Sequence, residues 1–219
     1  MSLTREQVTR GLVDELAQFE ALVRSLDERE WTAPAGLEGW RVADLAAHVV
    51  GDMTDVTTGH VECLDSPEVF DRHVRERRGQ SPTQLADELV GATRATAALL
   101  SRVDDRQWDK PAPGGLPFTV GEAMQALWND VYLLAQDIRS ATGRPLSRGA
   151  GLLASVSHLA GVLRREGWRL AALALDGLPE IPIGGGAGRK LTGDPLAFVL
   201  AVTGRLVPEP LRPDRDRAA

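Results

Sequence analysis

His48 and Asp52 stand four residues apart in "LAAHVVGDMTDV", and Asp55 follows one turn later. On a helix, that spacing puts an imidazole and a carboxylate side by side on one face. At roughly 100° per residue, Asp52 also falls within the apolar stripe of Leu45, Val49 and Val56. A carboxylate facing a core is costly unless it is paired, hydrogen-bonded or bound to a cation. Asp130, in "WNDVYLL", sits at the margin of an equivalent stripe on a later helix. His48, Asp52 and Asp130 are therefore the candidate metal ligands, converging where helical bundles place such sites. The same residues admit plainer roles: His48 as a hydrogen-bonded structural histidine, and the two acids as partners of nearby arginines.

Few other residues compete for this chemistry. The chain has four histidines and one cysteine. His60 lies roughly 120° around the helix from His48, so the two should not share an ion. His73, in "FDRHVRERRG", reads as a solvated loop residue and His158 as a helix-face one. Cys63 alone makes neither a disulfide nor a thiolate cluster and reads as a packed thiol. "GGGAG" (184–188) lacks the GK[ST] ending and following helix of a phosphate loop, and reads as a turn.

The elements that must position these residues are legible from apolar spacing. Thr4 with Gln7 resembles a capping box, and Val8, Leu12, Leu16, Phe19, Val23 and Leu26 then recur at helical steps. A second helix is predicted over about Val42 to Leu64. Ser81-Pro82-Thr83-Gln84 opens a third that runs to Val103, and Thr119 with Glu122 opens a fourth that Gly143 closes. "LVRSLDEREWTAPA" (22–35) matches "LLSRVDDRQWDKPA" (99–112), so helix, Trp-Pro linker and helix occur twice. With one residue added in the second linker, Trp40 corresponds to Phe118, Asp44 to Glu122 and Asp52 to Asp130. The five tryptophans fit linker anchoring better than base stacking.

The predicted fold is mainly α, a four-helix bundle over residues 1–145. A small α/β part follows over 146–206. It holds a helix at Leu152–Arg165, a segment "WRLAALAL" (168–175) that suits a buried strand but whose alanines also suit a helix, one or two short strands in 177–193 and a helix opened by Asp194-Pro195. Residues 207–219, with three prolines and alternating charges, read as a disordered tail. The net charge of −6 argues against nucleic acid or an anionic membrane surface as partner. No apolar run reaches a membrane span and "MSLTREQVTRGL" lacks a signal-peptide core, so the expected location is the cytoplasm and the expected partner a small molecule.

Taken in order, Trp31-x-x-Pro34, "GWRVADLAAHVV" (39–50), "DIRSATGRPL" (137–146) and "LTGDPLAFVLAVTGR" (191–205) resemble the mycothiol-dependent maleylpyruvate isomerase family. That family is a branch of the DinB/YfiT-like bundle proteins, and the resemblance runs from about residue 8 to 206. It implies a four-helix bundle with a small α/β C-terminal part. It also implies a divalent metal, usually zinc, held by a His on the second helix and a Glu-x-x-x-His pair on the fourth. His48 matches the first ligand, Asp130 stands where the Glu belongs, and Leu134 stands where the second His belongs. Asp52 is the best substitute, and a His48-Asp52-Asp130 set would suit a harder ion than zinc, or hold its metal weakly. The implied activity is that of an isomerase or S-transferase, in which the metal activates a thiol such as mycothiol for addition to a small electrophile. Arg205, in the closing Thr-Gly-Arg, matches a family arginine that meets a substrate carboxylate. The alternative is a metal-free binding or accessory protein that keeps the cleft, with Leu134 making it more apolar and His48 bonded to Asp52.

Overall fold

Side-chain caps start most of the helices, and they explain where the chain turns. The computed structural model describes residues 3–36, 39–61, 66–184 and 188–205. Helix α1 (Arg5–Arg24) buries Val8, Leu12, Leu16, Phe19 and Val23, the predicted stripe. One-turn α2 (Glu28–Trp31) starts at Asp27, in a reciprocal capping box with Glu30. Helix α3 (Val42–Thr58) ends earlier than predicted because Gly59, at φ 84°, takes the left-handed C-cap. The remainder of the predicted second helix includes residues 62–65, which lie outside the described residues, as does Cys63.

Helix α4 (Pro67–Glu76) was not expected. Ser66 caps it by accepting from the Val69 N–H, with proline at the first helical position. Helices α5 (Pro82–Leu100), α6 (Asp105–Trp108) and α7 (Val120–Ala141) carry capping boxes at Ser81, Asp104 and Thr119. Helix α1 packs on α5 and α7, and α3 packs on α5, α7 and α4. The four long helices thus form the predicted bundle, with α4 laid against α3.

The sequence repeat is a structural repeat. Helices α2 and α6 have the same length and the same N-cap geometry, and each leads to a Pro bridge, Pro34 to Arg41 and Pro111 to Thr119. The Ala35 N–H donates to the Trp40 carbonyl and the Ala112 N–H to the Phe118 carbonyl, both at 2.8 Å, as the predicted alignment pairs them.

Residues 5–147 form one compact unit and those from Arg148 onward belong to a second. The second unit contains α8 (Ala150–Arg165), β1 (Leu170–Leu175), β2 (Ile181–Pro182), β3 (Arg189–Gly193) and α9 (Pro195–Val202). The "WRLAALAL" segment resolves as a strand at the centre of a sheet ordered β2-β1-β3, antiparallel to β2 and parallel to β3. The fold is mainly helical with this small sheet, as predicted. The tail 207–219 and residues 185–187 lie outside the described residues.

Between α1 and α7 the core holds an ionisable group. The Trp128 indole N–H donates to Glu15 at 3.1 Å, and Glu15 is buried. Burial raises its pKa above the ordinary 4.5, against opposing pulls from Trp128 and Arg139. A carboxyl raised in the folded state stabilises below its unfolded pKa and loses that contribution as pH rises through the folded value. Glu15→Gln, which still accepts from Trp128, is therefore expected to raise stability at neutral pH by about 1 kcal/mol. The gain should shrink as pH falls toward 4.5, which thermal melts of both proteins across pH would show.

Candidate metal centre

Helix α3 presents His48, Asp52 and Asp55 on successive turns, all buried. From α4, His73 meets them with 0% exposure. The approach depends on Gly51, because a Cβ there would stand 2.1 Å from Cγ of the His73 ring. His48 Nε2 lies 3.3 Å from Asp52 Oδ2, and the two histidines face each other Nδ1 to Nδ1 at 3.2 Å. His73 Nδ1 is also 3.6 Å from Asp52 Oδ1, while its Nε2 is 2.8 Å from Asp55 Oδ2. Arg72 closes the outer side, its guanidinium bonded to both oxygens of Asp55. Trp40 and Phe70 bring ring edges against His48, Phe70 with a centroid separation of 4.4 Å.

Burial separates the charge states of these groups. It lowers the pKa of His48 to about 4, with His73 adding to the effect. Burial also lowers His73, although Asp55 pulls the other way. Asp52 is pushed well above the usual carboxylate range by burial and by the charges of Asp130 and Asp55, against weaker pulls from Arg72 and Arg77. Burial works in the same direction on Asp55, but the hydrogen bonds from Arg72 and His73 outweigh it and hold that carboxyl low. Asp55 is thus an ionised, paired acid, and Asp52 a buried acid in need of a proton or a cation.

The donor set fits a divalent cation. Ligand atoms of His48, Asp52 and His73 all lie within 4.8 Å of one another. Asp52 Oδ1 is buried without a hydrogen-bond partner, a state natural proteins avoid unless the atom has another use. Two imidazoles and one carboxylate make a three-ligand set of the kind catalytic zinc sites use, with a fourth position left for water or substrate.

The structure brings His48 and Asp52 together, as their spacing predicted, and adds His73. The reading of His73 as a solvated loop residue is overturned: it is a fully buried residue of α4. Its signal was present, since Ser66-Pro67 is the same start signal as Ser81-Pro82, and Phe70 and His73 share a helical face three residues apart. Asp130 on α7 is exposed, accepts from the Asn129 side chain at 3.2 Å, and stands outside the three-residue cluster, though its charge reaches Asp52. Leu134 is buried. The acid–arginine pairing considered for Asp52 occurs instead at Asp55. Arg205 belongs to the second unit, where it follows Gly204 and its backbone N–H donates to the Leu200 carbonyl. His60 is exposed and bonded to Thr58, apart from the centre. Among the described residues no helix is long and apolar enough to cross a membrane.

Comparison with known proteins agrees with this architecture. The sequence pattern of the family described as mycothiol maleylpyruvate isomerase N-terminal domain matches residues 12–139. A crystal structure of a mycothiol-dependent maleylpyruvate isomerase superposes with a TM-score of 0.64 at 18% identity, over 95% of this chain and 96% of that one. A histidine-to-alanine mutant of such an isomerase gives 0.61 at 17% identity, over the same shares of each chain. No curated protein sequence matches this one closely enough to count as a relative.

Proposed function

Because the chain belongs to the mycothiol maleylpyruvate isomerase N-terminal domain family, we propose that it is a metal- and thiol-dependent isomerase or S-transferase acting on a small electrophile. The observation that carries this reading is the buried His48–Asp52–His73 cluster with its unpartnered Asp52 oxygen. When bound there, a divalent cation supplies a Lewis acid that favours the thiolate of a bound thiol at neutral pH. The chain's own residues prepare that position. His48 and His73 are kept neutral by burial, so each offers a lone pair. Asp52 contributes the negative charge. Trp40 and Phe70 crowd one side of His48 and limit water there. Asp130 is the nearby acid beside that set, its charge reaching Asp52, and Arg205 is assigned to a substrate carboxylate on the likeness of its Thr-Gly-Arg motif.

Two histidines in place of one shift the preferred ion toward zinc, compared with the oxygen-rich His48-Asp52-Asp130 set. The test is turnover of maleylpyruvate with mycothiol by the purified protein, before and after chelation and with His48→Ala. The expected result is a rate lost on chelation, restored by zinc or a similar ion, and lower by about 100-fold or more in the variant. Binding of small molecules without turnover, indifferent to chelation and to His48→Ala, would instead identify a metal-free accessory protein.

A further inference from the structure

Resting on that reading, we propose that Asp55, clamped by Arg72, is a positioning residue that sets the tautomers of both histidines. It thereby aims the His48 Nε2 lone pair at Asp52. Asp55 Oδ2 stands 2.8 Å from His73 Nε2, and both Asp55 oxygens also take bonds from Arg72. An ionised carboxylate only accepts, so His73 must carry its proton on Nε2. Arg72 Nη2 is 3.3 Å from the same nitrogen, and two donors fit there because both point at the shared carboxylate.

With Nε2 protonated, neutral His73 has its lone pair on Nδ1. That atom faces His48 Nδ1 at 3.2 Å, a hydrogen bond only if His48 holds its proton on Nδ1. His48 Nε2 is then the lone pair, 3.3 Å from Asp52 Oδ2, while His73 Nδ1 is 3.6 Å from Asp52 Oδ1. One ion pair at the edge therefore makes His73 Nδ1 the acceptor of the His48 Nδ1–H bond and turns the His48 Nε2 lone pair to Asp52, and His73 Nδ1, 3.6 Å from the same carboxylate, reaches a cation by giving up that bond. A carboxylate behind a ligating histidine commonly plays this part.

The proposal makes an unusual demand of Asp55→Ala. With the carboxylate gone, the donor left beside His73 Nε2 is Arg72 Nη2, 3.3 Å away, so that nitrogen must become an acceptor. The His73 proton must then move to Nδ1, and the His48 proton to Nε2. Nitrogen-15 NMR of histidine-labelled, metal-free protein reads this directly. The expected wild-type result is His73 protonated on Nε2 and His48 on Nδ1, with both reversed in Asp55→Ala. Zinc affinity of the variant should fall by about 10- to 100-fold. Wild-type His73 protonated on Nδ1 overturns the proposal, and needs no folded variant to do so. Unchanged tautomers in a folded Asp55→Ala overturn it as well. The predicted tautomers in a protein that binds no zinc uphold the role of Asp55 and tell against the metal reading alone.

Discussion

His73→Ala is expected to weaken zinc binding by more than the roughly 100-fold that loss of an outer partner costs. The reason is ligand count. Catalytic zinc is held by three protein groups, and without His73 the buried cluster keeps only His48 and Asp52. Competitive titration against a chromophoric chelator measures the change, with exposed His60→Ala as the control that should bind as wild type does. The companion variant Leu134→His tests the same point from the other side. If α4 already supplies the third ligand, a histidine at 134 adds little to an intact site. A large gain in wild type from Leu134→His would mean that His73 does not ligate.

Gly51→Ala is expected to destabilise the protein by about 3 kcal/mol, at the upper end of overpacking costs. Helix propensity alone argues the opposite sign, since alanine is favoured over glycine by up to about 1 kcal/mol inside a helix. Packing decides it. The new methyl would sit 2.1 Å from Cγ, 2.4 Å from Cδ2 and 2.6 Å from Nδ1 of His73. The His73 ring is fully buried and bonded at Asp55, so it has no easy retreat. Either α4 lifts from α3 or the histidine leaves the cluster, and zinc binding goes with it. Chemical denaturation would report the loss, and an unchanged midpoint with unchanged zinc affinity would contradict the packing described for His73.

These two residues also mark where sequence reasoning stops. The long helices were legible because each has an apolar stripe and most open on a cap signal, and the bundle because the Trp-Pro unit recurs. His48 with Asp52 was legible because both lie on one helix, where spacing alone places them together. His73 was not, for its partners come from another helix and its own helix has little apolar sequence to announce it. In "SPEVFDRHVRE", five of eleven residues are charged, which reads as a loop unless the Ser-Pro start is given weight. The meeting of α3 and α4 is written in Gly51, a residue whose role appears only once the facing ring is known. Asp55 is a similar case: its place on the helix was readable, but its bonds to His73 and Arg72 depend on how α4 docks.

The proposed function requires a divalent cation between α3 and α4, on His48, Asp52 and His73. Anomalous diffraction at the zinc edge, from crystals grown with stoichiometric zinc, tests it most directly. One strong peak is expected, bonded to both imidazoles and to the Asp52 carboxylate. A peak bonded to Asp130 without His73, or no ordered zinc at the cluster, would contradict it.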